Sequence, residues 1–393
     1  MRPFPIADFR QRRTPFYYYD RELLRTTLSA VVREAGRYPA FRVHYAVKAN
    51  VDPDVLREVR SSGLGCDCVS GGEVQACLDA GFEPSKIVFA GVGKADWEIN
   101  QALDAGIACL NVESLAELEV IDALAAARGR KVAVALRINP NVDAHTHRYI
   151  TTGLDENKFG IAVEQLDGVL DRMAALRHVE LTGLHFHIGS QVLDMEPFAL
   201  LSQRINALQD RIERRGHGSL RTINVGGGLG CDYDDPDRNP VPDFAAYFAA
   251  YARGLRLRPG QEVHFELGRA LVCQCGSLIA RVLYIKEGLR KRFAILDAGM
   301  SDLIRPALYQ AHHRIDALAP DGSVRVADPS RPDGAATYDV VGPVCESSDT
   351  FGTDELLPPL RRGDFVALRS AGAYGRIMAS NYNCRPIPDS VMM

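Results

Sequence analysis

The stretch RVHYAVKAN, Arg42 to Asn50, alternates aromatic and β-branched residues like a buried strand, yet carries Lys48 close to its end. A lysine is rarely buried without a partner or a chemical task; the competing reading is a surface ammonium snorkelling from a strand terminus. Three other stretches hold residues suited to the same task. HFHIGS places His185 and His187 two apart, so that on a strand they share a face. His185 reads equally as a satisfied core histidine, while His187, nearer the strand end, is better placed to stack on a flat ring. NVGGGLG puts Gly226, Gly227 and Gly228 after a strand-like run, where backbone N–H groups can approach a phosphate closely; an ordinary tight turn has the same composition. ELGR supplies Glu266 and Arg269, either as a salt bridge or with the carboxylate aimed at a ring nitrogen. A desolvated lysine forms Schiff bases, and an acid can hold a pyridine nitrogen protonated. The set therefore suits a phosphorylated carbonyl cofactor of the pyridoxal phosphate type.

Positioning these groups falls to a repeated unit of a short apolar run, a polar or glycine-bearing exit and an amphipathic helical segment. The runs are RVHYAVKAN, GLGCDCVS, KIVFAGV, IACLNVES, VAVALRINP, LTGLHFHIGS, RTINVGGG and VHFELGR, with helical segments such as GGEVQACLDAG, KADWEINQALDAG and SLAELEVIDALAAARG between them. Eight strands alternating with helices predict a closed (β/α)8 TIM barrel over residues 25–270, against the rival of an open doubly wound sheet. A dinucleotide-binding reading of GGGLG is weaker, because the spacing is only partly met and the run comes late in the chain. Lys48, Ser70, Glu113, Asn139, His187, Gly226 to Gly228, Glu266 and Arg269 all fall at the C-terminal ends of these runs, the face on which such barrels carry their sites. That coincidence favours a shared pocket for Lys48. Beyond residue 270 the runs RFAILDAG, ATYDVVGPVCES and DFVALRSAGAYG are separated by loops rich in Pro, Gly and Asp. They predict a second, all-β domain of barrel or sandwich type over 271–393, joined by residues 1–24 through TPFYYYD, with DPSRPDGAAT as a surface loop.

Composition narrows the classes. With 393 residues, 46% of them hydrophobic, the chain can bury a large core, and its net charge of −4 comes from interspersed signs that give no footprint for nucleic acid. No apolar run reaches the roughly 18 residues of a membrane span, and MRPFPIADFRQRR has no signal-like apolar core, so a soluble cytoplasmic protein is expected. The nine cysteines are Cys66, Cys68, Cys77, Cys109, Cys231, Cys273, Cys275, Cys345 and Cys384. The pairs CDC and CQC lack zinc-site spacing and sit in strand-like runs, so most thiols read as core residues in a reducing compartment, and no metal site is expected.

Over essentially its whole length the sequence resembles the fold-type III pyridoxal-phosphate decarboxylases, which share an alanine-racemase-like fold, and within them the branch acting on meso-2,6-diaminopimelate. The resemblance rests on YAVKAN, CVSGGE, GVGK, NVES, RINPNVDAHTH, TGLDENKFGI, HFHIGSQ, VGGGLG, ELGR, DAGMSDLIRPALY, GPVCESSD and GAYG, in the family's order. It implies that Lys48 forms the Schiff base, that His187 stacks on the cofactor ring and that Glu266 meets the pyridine nitrogen. It places Gly226, Gly227, Gly228, Gly268 and Arg269 around the phosphate with Ser190 nearby, and Asp67 close to the lysine. It further implies that Cys345 protonates the substrate carbanion and that Tyr374 touches cofactor and substrate. Arg269, Arg305 and Tyr309 would hold the distal carboxylate, and Glu346 the distal ammonium. Leu267 stands where the family usually has proline, which frees a backbone N–H beside the phosphate. Read alone, Cys345 is also compatible with an inert loop thiol, and Arg305 with a salt bridge inside its own domain.

The expected reaction is decarboxylation of meso-2,6-diaminopimelate to L-lysine and carbon dioxide, in a homodimer whose two-fold axis generates two shared sites. Relatives acting on ornithine or arginine typically carry aspartate where this chain has Glu346, which disfavours that alternative. A racemase would lack GPVCESSD, and a non-catalytic binding homologue should show damage at Lys48, Cys345 or Glu266, which are intact.

Overall fold

The computed structural model describes residues 3–142, 158–331 and 333–393; the second part of the motif RINPNVDAHTH and the first part of TGLDENKFGI lie outside them. The chain forms two compact units, Thr26–Gly230 with Pro242–Leu271, and Met1–Arg25 with Cys231–Val241 and Val272–Met393. The stretch Cys231–Val241, read from the pattern as part of the barrel, thus groups with the second unit.

In the first unit eight strands, Phe41–Ala46, Gly65–Cys68, Ile87–Phe89, Cys109–Val112, Val132–Asn139, Val179–His185, Thr222–Asn224 and Glu262–Leu267, run parallel in chain order. The last pairs with the first from Val263↔Phe41 to Leu267↔Tyr45, which closes the ring. Each apolar run therefore forms a barrel strand. The outward positions are apolar: Phe41 and Phe265 pack on each other and on Phe248 of the helix Phe244–Gly254. Residues one step away along each strand point into the barrel, and neighbours in register share that face. The pairings Ala46↔Asp67, Asn111↔Ala135, Arg137↔His185 and His185↔Asn224 put Asp67, Asn111, Arg137, His185 and Asn224 on that inner face, with Glu266.

Local chemistry sets the strand exits. After Ala46 the chain makes one 3-10 turn, Val47–Ala49, so Lys48 lies just past the strand rather than on it. Ser70 and Ser114 each accept a hydrogen bond from the backbone N–H three residues on, at 3.2 Å, and start the helices Gly71–Asp79 and Leu115–Ala127. Glu73 and Glu117 reach back to the N–H groups of Val69 and Glu113 at 2.7 Å. Ser70, read above as reactive, is thereby a helix cap.

The second unit is built on a nine-stranded sheet. Phe16–Tyr19 of TPFYYYD pairs antiparallel with Gly276–Ile279 and parallel with Asp389–Met392. Phe4, Ile6, Phe9, Phe16, Ile279, Leu318, Phe365 and Ala367 form a core cluster beneath it. CQC, read as strand-like, lies in the turn between the short helix Arg269–Val272 and the strand Gly276–Glu287. No helix among the described residues is long and apolar enough to cross a membrane.

At the N-terminal end of the barrel, His44 Nε2 lies 3.2 Å from His264 Nδ1, and His264 Nε2 lies 3.4 Å from Glu262, which also pairs with Arg42 at 2.7 Å. Burial, and then the mutual proximity of the rings, pushes the pKa of His44 down to about 3; burial lowers that of His264 to about 4. Below the ordinary histidine range the unfolded chain therefore takes up protons that the barrel refuses. Stability from this pair is complete above about pH 6.5 and is lost as the pH falls toward 4, by about 1.4 kcal/mol per pH unit for each histidine. Urea unfolding at pH 7, 6 and 5 should show a falling midpoint, and a shallower fall in the double variant H44Q/H264Q. Equal slopes would remove the pair as the cause.

Candidate functional site

Glu266, the next-to-last residue of the eighth strand, is 6% exposed inside the barrel. Its carboxylate lies 3.0 Å from His185 Nε2 and accepts hydrogen bonds from Asn224 Nδ2 at 2.7 Å and Asn111 Nδ2 at 3.4 Å. Burial alone would favour the neutral acid, but His185, by charge and hydrogen bond, and then Lys48 hold the carboxyl below its usual range. The alternative salt bridge with Arg269 is not formed. Arg269, 5% exposed, donates instead to Ser190 Oγ through Nε at 3.2 Å and Nη2 at 3.0 Å.

Asp67 shares this interior, and its proton balance is opposite. It is 1% exposed with no hydrogen-bond partner at Oδ1, and burial followed by the charge of Glu266 drives its pKa well up, with Lys48 a partial offset. One carboxyl is thus held below the usual carboxylate range and its neighbour is pushed above it. His187 lies two residues past the sixth strand. Burial, then the charges of Lys48 and Arg137, lower its pKa well below the usual value, so the ring is neutral. The N–H of Gly227 donates to its Nδ1 at 3.3 Å, which leaves the ring proton on Nε2.

The glycine run is needed for its close approaches. Gly226 has φ +71°, and a Cβ there would lie 2.2 Å from Phe186 O; a Cβ on Gly227 would lie 2.0 Å from Glu266 O. The turn is tied to both neighbouring exits by Glu266 N–H to Gly226 O at 2.8 Å and Val192 N–H to Gly228 O at 2.9 Å. Gly268 packs against Ala46 and Ala49 around the Lys48 turn, and Leu267 completes the strand opposite Tyr45. A backbone cradle beside a buried guanidinium and hydroxyl fits a phosphate. An ionised carboxylate held by three neighbours fits a protonated ring nitrogen, and the neutral His187 fits an uncharged stacking face. The residues present therefore suit pyridoxal phosphate.

Lys48, Asp67, His187, Ser190, Gly226, Gly227, Gly228, Glu266, Gly268 and Arg269 all belong to the barrel unit, whereas Arg305, Tyr309, Cys345, Glu346 and Tyr374 belong to the sheet unit. There Arg305 starts the short helix Arg305–Tyr309 and is 6% exposed. Its Nε donates to His313 Nε2 at 3.2 Å, and its guanidinium lies over the rings of Tyr233 and Tyr309. Among the described residues no carboxylate pairs with it. Cys345 and Glu346 are exposed, and Glu346 accepts from Tyr382 Oη at 2.7 Å. Tyr374 is held at φ +56°.

Sequence reasoning missed Asn111, Asn224 and Arg137, and treated His185 as an open choice. Their signal was strand parity, which turns each of them toward the barrel interior. Arg137 donates to Glu113 Oε1 at 2.6 Å, both nearly sealed from water, and Glu113 also accepts from the N–H groups of Gly91 and Gly160 at 3.2 and 2.8 Å. Glu113 thus ties together three strand exits. Removing one partner of a buried pair leaves a charge without compensation, so Arg137→Met should cost roughly 3–5 kcal/mol in urea unfolding, and adding Glu113→Gln should restore part of the loss. A double variant no more stable than Arg137→Met would count against this coupling.

A family model described as "Pyridoxal-dependent decarboxylase, pyridoxal binding domain" matches residues 25–273. A diaminopimelate decarboxylase of Bacteroides thetaiotaomicron is 59% identical over 385 residues, 98% of this chain and 97% of its own. One from Pseudomonas aeruginosa is 44% identical over 375 residues, 95% of this chain and 86% of its own. The crystal structure of diaminopimelate decarboxylase from Helicobacter pylori complexed with L-lysine superposes with a TM-score of 0.90 at 40% identity, covering 99% of this chain and 93% of that one. With the family model spanning most of the chain and relatives of this identity along nearly all of it, the chain belongs to the pyridoxal-dependent decarboxylases.

Proposed function

We propose that this enzyme removes the carboxylate from one end of meso-2,6-diaminopimelate, releasing carbon dioxide and L-lysine as the last step of lysine biosynthesis. The observation that carries decarboxylation is the buried carboxylate of Glu266, kept ionised by His185, Asn224 and Asn111 on neighbouring barrel strands. Pyridoxal phosphate, bound through Lys48, supplies an electron sink for the bond that breaks, and its strength depends on a proton at the pyridine nitrogen. Glu266 holds that proton by charge. His187, neutral and only partly exposed, offers a ring face without competing for it. Gly226 to Gly228 and Gly268, with Ser190 and Arg269, bind the phosphate. Asp67, whose pKa burial and then the charge of Glu266 push up, is biased toward the neutral form beside Glu266.

The substrate class follows from the sheet-unit residues and from the relatives' names. Arg305, buried without a carboxylate among the described residues, suits the substrate's distal carboxylate together with Tyr309 and Arg269, and Glu346 suits its distal ammonium. Cys345 delivers the proton to the carbon that loses carbon dioxide, and Tyr374 lines both ligands. We further infer a cytoplasmic homodimer in which these residues complete a shared site. A site with a buried arginine aimed at the far carboxylate rejects analogues lacking it, because the guanidinium would be left unpaired.

Carbon dioxide release should be measured on meso-diaminopimelate, ornithine and arginine, with and without added pyridoxal phosphate. Turnover of meso-diaminopimelate alone, dependent on cofactor and abolished in Lys48→Ala, is the expected result; turnover of ornithine or arginine would reassign Glu346. For Glu346→Ala we expect kcat/KM on meso-diaminopimelate to fall on the order of 100-fold with bound cofactor unchanged in its absorption spectrum. An unaltered kcat/KM would take Glu346 out of substrate recognition.

A further inference from the structure

Outside the site, two thiols of the sheet unit lie in direct contact. Cys231 Sγ lies 2.7 Å from Cys273 Sγ, whereas the barrel's Cys68 and Cys77 keep a sulfur separation of 3.6 Å. Cys231 is 3% exposed and Cys273 is sealed from water. The Cys273 thiol points at Ser370 O, 3.2 Å away, which leaves a sulfur lone pair facing Cys231. The two segments are also held side by side without the thiols: Gln274 Nε2 donates to Asp232 O at 2.6 Å, and Gln274 Oε1 accepts from Ser370 Oγ at 2.6 Å. Both cysteines stand at chain crossings, Cys231 directly after Gly230 ends a barrel segment and Cys273 one residue past Val272, where the sheet unit resumes.

We propose that Cys231 and Cys273 form a redox pair that closes to an intrachain disulfide when the protein meets a peroxide. Cys231, with the residual exposure, attacks a peroxide oxygen; the O–O bond breaks, one water leaves and the sulfur becomes a sulfenic acid. Cys273 sulfur then attacks that sulfur and expels the second water, so two thiols are oxidised and one hydrogen peroxide is reduced to two waters. A small-molecule thiol reverses the step by exchange. Cys66, Cys68 and Cys77 are as buried but do not share this contact, and the exposed Cys345 and Cys384 have no thiol partner in contact among the described residues. The bridged residues are 42 apart, and the enclosed span holds the helix Phe244–Gly254 and the strand that carries Glu266. Oxidation would therefore close a covalent loop that contains the last helix and strand of the barrel.

The test treats the cofactor-loaded protein with hydrogen peroxide, alkylates remaining thiols in denaturant with a light reagent, reduces, and alkylates again with a heavy one. The expected outcome is heavy label on Cys231 and Cys273, with Cys68 and Cys77 light, and a cross-linked peptide two hydrogens lighter than its reduced parts. Closing a loop of this size should also raise Tm by about 5 °C, reversibly on adding dithiothreitol. In Cys273→Ala the rise should vanish and Cys231 should be trapped by dimedone as the sulfenic acid; Cys231→Ala should show neither. Peptide mapping is the primary readout, because peroxide also reaches the exposed Cys345. Light label on both cysteines once Cys345 and Cys384 have been oxidised would overturn the proposal, as would heavy label on a different pair.

Discussion

The structure of the site depends on one buried negative charge. Glu266 sits where water cannot reach it, and an ionised carboxylate in such a place is tolerated only with hydrogen-bond donors close by. Its neighbours come from three other strands: Asn111 from the fourth, His185 from the sixth and Asn224 from the seventh. They can converge only because the barrel is closed, since in an open sheet the fourth and eighth strands would lie far apart. Closure of the ring is therefore a condition of the chemistry as well as of stability.

The same charge orders its surroundings. After burial itself, it is the main cause that pushes Asp67 toward the protonated form, while burial and then Lys48 and Arg137 keep His187 neutral. The glycine turn belongs to this arrangement because its backbone contacts the eighth strand directly, by Glu266 N–H to Gly226 O and through the space that Gly227 leaves at Glu266 O. A side chain at Gly227 would collide with the backbone carbonyl of Glu266, and one at Gly226 with Phe186 O and His187. Glu113 does comparable work at the opposite wall, drawing Gly91, Gly160 and Arg137 together.

Much of this was legible in the residues. Eight apolar runs announced eight strands, and the clustering of Lys48, His187, the glycines and Glu266 at one end announced the site. Periodicity could not reveal the partners of Glu266, because Asn111 and Asn224 look like ordinary strand-end polar residues until register sets them on the same face. Ser70 misled for a related reason: a serine at a strand exit serves a following helix as readily as a ligand, and only the bond from Glu73 N–H distinguishes the two. The return of Cys231–Val241 to the sheet unit left no trace, since a loop that changes units has the same polar, Asp- and Pro-rich composition as one that does not. CQC reads like CDC by spacing, yet only the latter lies in a strand.

The pairing of Phe16–Tyr19 has a consequence for how the protein is made. This strand leaves the ribosome long before its two neighbours, Gly276–Ile279 and Asp389–Met392. The barrel poses the same delay on a smaller scale, because His44 and His264 face each other across 220 positions of sequence. Throughout synthesis an aromatic, β-prone segment must therefore wait with both edges open, a state exposed to wrong pairing with other nascent chains. The adjoining Asp20, Arg21 and Glu22 place charge beside it, the kind of flanking residue that discourages such association. Slow translation of the barrel would lengthen the exposure, and fast completion of the last strand would end it.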